Sequence, residues 1–492
     1  MEKVEFFRKK YSQFIYESFS SKVFNNDLEI SFKFVIEPGI IFNPKVTIKN
    51  INKKKLEIVG DKVLNNLIFH LGLIELLSYW KATCSPEIII KAGFLNSEQI
   101  KWWKDLIIQG IGQFFYENRI NFQKPNFIRI ISTQKYNRTR IFLPSLKNRF
   151  LVPVGGGKDS IVTLEILKET KKELSSFSLN PTDAALKIMK IAGCKNQIIV
   201  ERKIDKKLLE LNRQGFLNGH TPFSAYLAFL SVLCGAIFDY KYIAFSNERS
   251  SNEGNLIYLG KIINHQWSKS FKFEKKFREY SRKYLTSGVK EDKSSFPPSL
   301  PLRGSSVVEY FSFLRPLYEI QIVKLFSKYP KYFPVFLSCN EAYKTASGTE
   351  KPTKKWCGKC PKCLFIFTIL YPLVTEKKLI KIFGKNLFND KNLLPIMKEL
   401  IGKRGFKPFE CVGTKKETLI AFYLSWKKNR GRASVTSVKL PFLLKYFEKK
   451  ILPKHPNLER EVRKLMNSWN KQNNIPKEFE KILKALLLTE IE

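Results

Sequence analysis

One short stretch, Phe150 to Ser160 (FLVPVGGGKDS), constrains this chain more than any other. Leu151 to Val154 is an apolar run of the kind that forms a buried parallel strand. Three glycines follow without a break. Asp159 and Ser160 then open an amphipathic helix that carries Ile161, Leu164 and Leu167 towards a core. Glycine lets backbone N–H groups converge on one point because no Cβ blocks the approach. A helix N-terminus adds unpaired donors and a partial positive charge. Strand, glycine loop and helix start together predict a cradle for phosphate.

The stretch is not a Walker A loop, because Val152 stands where its first glycine belongs and Asp159 follows the lysine. It is not the dinucleotide pattern G-x-G-x-x-G either, since Ser160 takes the last position. It resembles the [SG]-G-G-x-D-S signature of the PP-loop ATP pyrophosphatases. That resemblance implies cleavage of ATP between its α- and β-phosphates, with AMP left on an acceptor. An ordinary glycine turn between a strand and a helix is the plain alternative.

Around this stretch the pattern is β-α-β. Strands are expected at Leu174–Leu179, Gln197–Val200 and Tyr242–Ser246, and helices from the loop to near Lys171, from Asn180, and over Pro222–Tyr240. Asn180 is read as an N-cap with Pro181 at the first helical position. Such alternation implies a parallel sheet with right-handed crossovers, whose ligands bind at the carboxyl ends of the strands. Gly155–Ser160, Ser178–Asn180 and Ser246–Glu248 should therefore share a crevice.

Residues 1–147 read as a mixed α/β module, with strands at Leu28–Ile36 and Lys45–Ile48 and helices at Asp61–Trp80 and Ser97–Tyr116, the latter capped by Ser97. Trp80, Trp102 and Trp103 read as core or ligand-groove aromatics. Residues 148–375 read as the catalytic domain, and 376–492 as a lysine-rich helical region. The stretch 269–300, ending in Phe296-Pro297-Pro298, reads as a surface helix and loop. The fold class expected is α/β: a parallel-sheet PP-loop domain of the HUP-like, adenine nucleotide alpha hydrolase-like kind, as the resemblance implies, with the N-terminal module and the helical C-terminal region attached.

Cys357, Cys360 and Cys363 form C-x2-C-x2-C, and Cys339 lies upstream. Four thiolates suit a closed tetrahedral Zn²⁺ site in which the remote ligand staples two segments together. An iron–sulfur cluster is the rival, because the same spacing occurs in ferredoxins. The remaining four cysteines are scattered, which argues against a disulfide framework and for a reducing, cytoplasmic setting. No secretory h-region opens the sequence. Phe223–Phe238 is apolar but short of the roughly 18–20 residues of a membrane span. A buried helix is expected there, with no membrane insertion.

The net charge of +42 is extreme. It allows a polyanionic partner such as tRNA. The lysines are spread along the whole chain, however, and the abundance of Lys, Ile, Asn and Phe fits a composition bias. No RNA-binding module is recognisable, so nucleic acid is not the expected partner. A PP-loop enzyme that modifies tRNA or a nucleobase is kept as the alternative function.

Beyond the loop, several segments recur in a telling order: Asn218–Ala225, Ser246–Asn255, Asn264–Phe271, Leu314–Leu317, the cysteine cluster, and Lys407–Thr414. With Gly72–Trp80 and Gly110–Asn118 in the first module, they resemble the MurL family of UDP-MurNAc-L-alanyl-L-glutamate epimerases over roughly residues 60–415. The resemblance implies ATP, Mg²⁺, a UDP-linked muropeptide substrate and a ligase that supplies its L-glutamate. Gly155, Gly156, Gly157 and Ser160 are then assigned to phosphate and Lys158 to offsetting its charge. Asp159 is assigned to Mg²⁺ or capping, and Ser178 and Asn180 to adenosine. Arg249 and Arg315 are candidates for the substrate's carboxylates or diphosphate, because a guanidinium fork matches both. His220, His265, Glu248, Glu410 and Cys411 are candidates for proton transfer. For each of these a hydrogen-bonded structural role stands as the alternative.

Overall fold

The computed structural model describes residues 2–134, 143–286, 307–343, 355–433 and 439–488. Its frame is an 11-stranded mixed sheet. The loop strand, Lys147–Pro153, lies inside it, flanked by Leu174–Leu179 on one side and Tyr240–Phe245 on the other, both parallel. Gln197–Lys203 continues the sheet beyond Leu174–Leu179, and Glu309–Ser312 beyond Tyr240–Phe245. The chain thus moves outward on one side of the loop strand and then returns to the other. Such a reversal, at the carboxyl ends of the strands, is where open α/β sheets take their ligands.

The N-terminal strands join this same sheet. Lys45–Ile48 pairs antiparallel with Gln197–Lys203, and Asp27–Glu37 and Gln13–Phe24 extend it further. Alternate residues of Asp27–Glu37 are buried, the pattern of a strand with one face on a core. Parallel pairing returns at the far edge, where Glu87–Ile90 lies between Gln13–Phe24 and Arg129–Ser132.

Helix boundaries differ from expectation where a neighbouring side chain makes the better cap. Asn96, not Ser97, caps Ser97–Gly110: its side chain accepts from the Gln99 N–H at 2.9 Å while its own N–H donates to Gln99 Oε1 at 3.1 Å. Thr182, not Asn180, caps Asp183–Ile191, accepting from the Ala185 N–H at 3.2 Å. Asn180 is in the left-handed region at φ 45° and stays with the strand end. The loop helix runs Lys158–Lys168 and stops short of Lys171.

Of the aromatics read as core or ligand-groove residues, Trp80 and Trp103 are buried and Trp102 is half-buried. Trp80 is fully buried, and Trp102 lies 4.2 Å from Tyr280 between ring centroids. One helical stretch, Asp61–Trp80, is long and apolar enough to cross a membrane, but 89% of its most apolar window is buried within the protein. Phe223–Phe238 is likewise a buried helix. The C-terminal region is helical and packs on the parallel half of the sheet: Phe479 of the helix Lys477–Leu488 lies 4.7 Å from Phe150 and 5.1 Å from Tyr242. After the helix Phe271–Tyr280, the stretch with Phe296-Pro297-Pro298 lies outside the described residues.

Candidate active site

The glycine loop is built as a cradle. Gly157 precedes the helix Lys158–Lys168, and no side chain caps its first turn. The donors of that turn are therefore available to an anion. Gly155 faces open space: a Cβ there would meet nothing within 4 Å. Gly156 is the position that demands glycine. Its φ is +97°, and a Cβ would lie 3.2 Å from both Ala184 Cβ and the Leu337 carbonyl oxygen. Ser160 Oγ donates to the Gly157 carbonyl at 3.0 Å and braces the turn.

Lys158 departs from expectation. Its ammonium is buried and donates to both Asp159 Oδ1 and Glu319 Oε2. Burial alone would lower its pKa, but the two carboxylates outweigh it and hold the lysine above its usual range. Lys158 therefore neutralises protein acids from beneath the loop, while Asp159 remains partly exposed beside it.

Ser178 and Asn180, the adenosine candidates, lie at the end of their strand with side chains bonded within the protein. Ser178 Oγ is buried and donates to the Val154 carbonyl at 2.9 Å. Asn180 brackets Arg202, accepting from its N–H at 2.8 Å and donating to its carbonyl at 3.0 Å. These side chains stitch strand ends together.

Arg315 is corrected more sharply. It is fully buried, and its fork is consumed by the protein. It donates to Glu274 Oε2 at 3.2 Å, to Ser251 Oγ at 3.0 Å, to the Glu248 carbonyl at 2.6 Å and to the Lys269 carbonyl. No donor is left for a substrate. Arg315 instead fixes the backbone of two residues of the cleft. Arg249 differs: half-buried, its guanidinium lies 4.3 Å above the Tyr318 ring.

The proton-transfer candidates converge. His220 and His265 come from separate loops, yet their rings lie 4.4 Å apart. His265 Nδ1 pairs with Gln113 Oε1 at 2.6 Å. Burial pushes His265 down to about 3, with Lys269 and Lys407 adding to the effect. Burial, then the charges of His265 and Lys81, pushes His220 well below the usual range. Both imidazoles are therefore neutral near pH 7.

Lys269 links this pair to the glycine loop. It donates to Cys411 Sγ at 3.2 Å and lies within electrostatic reach of Glu248 and Asp159. Glu248 is buried, which raises its pKa against the pull of Lys269, and Asp159 raises it further. Glu410 is pushed up to about 7, by burial first and then by Cys411, and accepts from Asn340 Nδ2 at 2.5 Å. Lys362 donates to the Cys411 carbonyl, and close approach at Gly413 lets this segment cross Phe365.

Residue-by-residue sequence reading missed Lys269, Glu319, Lys362 and Lys81. Lys81 is buried against the Gly219 carbonyl and pushed down to about 8, by burial and then by the charge of Arg202. Nothing distinguishes these lysines in a chain with 86 Lys and Arg residues. For Lys269, the one available signal was its place within the segment Asn264–Phe271.

The four cysteines meet. Cys339, Cys357, Cys360 and Cys363 bring their sulfurs within 4.8 Å of one another. Cys339 and Cys360 are 3.7 Å apart and Cys357 and Cys363 are 3.6 Å apart. A tetrahedron with metal–sulfur bonds of about 2.3 Å has edges of about 3.8 Å, so the set fits one Zn²⁺. The N–H groups of Gly358, Lys359 and Cys363 point at its sulfurs at 3.4–3.5 Å, as thiolate ligands require.

The sequence matches the MurL N-terminal domain over residues 5–291 and the MurL C-terminal domain over residues 335–440. The chain belongs to the MurL family. Three relatives bear the name UDP-N-acetyl-alpha-D-muramoyl-L-alanyl-L-glutamate epimerase. The one from Xanthomonas oryzae pv. oryzae is 31% identical over 364 residues, 73% of this chain and 75% of that protein. That from Micromonospora sp. is 30% identical over 378 residues, 75% and 76% of the two chains. That from Salinispora tropica is 31% identical over 371 residues, 75% of each. The cleft is built from both MurL domains: the glycine loop, the histidines and Lys269 fall in the N-terminal match, and the cysteines, Glu410 and Cys411 in the C-terminal one.

Proposed function

We propose that this MurL-family protein is an ATP-dependent epimerase that converts the terminal L-glutamate of UDP-MurNAc-L-Ala-L-Glu to D-glutamate. The names of its relatives support the substrate. The observation that supports the ATP dependence is the uncapped helix start behind Gly155–Gly157, with Asp159 in its first turn and within electrostatic reach of Lys269. This is the geometry expected of a PP-loop enzyme.

The chemistry explains why phosphate and acid–base groups share a cleft. The α-proton beside a carboxylate is poorly acidic, because its loss places a second negative charge next to the first. Transfer of AMP to the carboxylate removes that charge and leaves an electron-withdrawing acyl group. The α-proton then leaves and returns on the other face, and hydrolysis yields the D-glutamyl product, AMP and pyrophosphate. The glycine loop and helix N-terminus would hold the departing pyrophosphate, and Asp159 would hold Mg²⁺, whose charge would offset that of the phosphates. Arg249, which stacks on Tyr318, would pair with a carboxylate or the diphosphate of the substrate. The four cysteines hold a structural Zn²⁺. The reaction belongs to cytoplasmic peptidoglycan precursor synthesis, after the ligase that adds L-glutamate.

The test is an isotope wash-in. Protein, ATP, Mg²⁺ and UDP-MurNAc-L-Ala-L-Glu are incubated in D₂O, and the released glutamate is analysed for chirality and α-deuterium. D-Glutamate carrying α-deuterium, formed with pyrophosphate and abolished in Asp159→Ala and Ser160→Ala, is the expected result. Pyrophosphate release that requires tRNA in place of the muropeptide would overturn the reading.

A further inference from the structure

We infer that Cys411 is the catalytic group that moves the α-proton of the activated glutamate on one face, and that Lys269 is its positioning residue. This rests on the epimerase reading.

The two side chains lie 142 residues apart in sequence and meet at 3.2 Å, so the contact is a product of the fold. Both are half-buried. Their backbones are held from several sides. The Lys269 carbonyl accepts from Arg315 and from Ser251 Oγ at 3.0 Å. The Cys411 carbonyl accepts from Lys362, and the next carbonyl, that of Val412, accepts from Gln266 Nε2 at 3.2 Å. A rigid backbone beneath both atoms is what a proton-transfer site needs.

The other cysteines are excluded by their surroundings. Four form the sulfur cluster, and Cys84, Cys194 and Cys234 are buried. Burial pushes Cys84 up to about 12. Cys411 alone of the eight is neither in the cluster nor buried.

Lys269 is not itself the base. Burial would discharge it, but Cys411, Glu248 and Asp159 more than offset this and keep it charged. It can donate a hydrogen bond and stabilise a negative sulfur. In the step proposed, Cys411 Sγ, its own proton already given to solvent, takes the α-proton of the acyl-adenylate. The C–H bond breaks, an S–H bond forms, and the electron pair moves onto the acyl oxygen. The pair returns to carbon when a solvent-derived proton reaches the opposite face through the neutral His220–His265 pair, one ring nitrogen accepting a proton as an N–H gives one up, and the Cys411 thiol then releases its proton to solvent. His220 Nε2 is buried there with no hydrogen-bond partner among the described residues, and both imidazoles feel the charge of Lys269.

The experiment separates activation from proton transfer. Pyrophosphate release with ATP and UDP-MurNAc-L-Ala-L-Glu reports activation, and α-deuterium wash-in reports proton transfer. Cys411→Ala should keep pyrophosphate release within a few-fold and lose wash-in by about 100-fold or more. Lys269→Met should fall in the same direction, and Lys269→Arg should recover part of the loss, which a purely structural role would not give. Wash-in by Cys411→Ala at the wild-type rate would overturn the inference. A second readout does not depend on the substrate: iodoacetamide labelling of Cys411, followed by mass spectrometry, should be slower in Lys269→Met than in wild type. Equal labelling rates would overturn the pairing. Failure of the wild-type protein to release pyrophosphate from the muropeptide would instead sink the epimerase reading, while the labelling would still judge the pair.

Discussion

The Leu337 backbone N–H donates to the Gly156 carbonyl oxygen at 2.8 Å. Two residues later the chain reaches Cys339, which belongs to the four-sulfur cluster. The cluster thus holds the segment that closes one side of the glycine loop. Gly157 also packs against this segment, since a Cβ there would lie 3.3 Å from Ser338 Cβ.

Metal removal should therefore be felt at the nucleotide site. One Zn²⁺ per chain is expected by elemental analysis. Its loss, by chelation or by Cys339→Ser, should lower the melting temperature and raise the KM for ATP on the order of tenfold. A Cys339→Ser protein with unchanged zinc content and ATP KM would show that the cluster does not support the loop.

The three glycines should behave differently when replaced by alanine. Gly156→Ala meets both a left-handed φ and a crowded Cβ position, so it should cost about 1–3 kcal/mol of stability as well as activity. Gly155→Ala has room for its methyl group in the folded protein, so its melting temperature should hold. The same methyl projects into the open side of the cradle and should weaken ATP binding. Thermal melts and ATP titrations of the two variants separate these effects.

Arg315→Met removes the partner of Glu274, whose side chain is 1% exposed. Leaving that carboxylate buried and uncompensated should cost about 3–5 kcal/mol in a urea unfolding experiment. A substrate-binding role would show the opposite pattern, with normal stability and a raised KM for the muropeptide.

Acid should destabilise the fold through its buried histidines. Folded His265 protonates near pH 3, whereas an unfolded histidine does so near 6.5. Between these values the unfolded chain binds the extra proton, so this contribution to stability is complete above about pH 6.5 and is lost as pH falls towards 3. His70, pushed down to about 4 by burial, acts in the same direction. His265→Gln should flatten the stability–pH slope below pH 6.5. An unchanged slope would remove His265 from the account.

Much of the parallel half of the sheet was legible because its signals are local. The strand Leu174–Leu179 falls where its alternation with helices places it, and the glycine loop is a run of adjacent residues. The cysteine spacing is equally local. Cap assignments at Ser97 and Asn180 missed by one or two residues, because Asn96 and Thr182 compete for the same backbone donors. Arg315 could not be judged from sequence at all. The same guanidinium serves a substrate or a buried carboxylate, and only the position of Glu274 decides which.

The sequence by itself determined the glycine loop, the C-x2-C-x2-C turn and the strand–helix alternation, because each is set by residues a few positions apart whose backbone geometry follows from their own chemistry. The tertiary structure alone decided that Lys158 answers to Glu319, that Lys269 meets Cys411, and that Lys45–Ile48 joins the sheet against Gln197–Lys203. Those pairings bring together groups far apart along the chain. Burial then sets whether each charge is matched, and no local pattern records that.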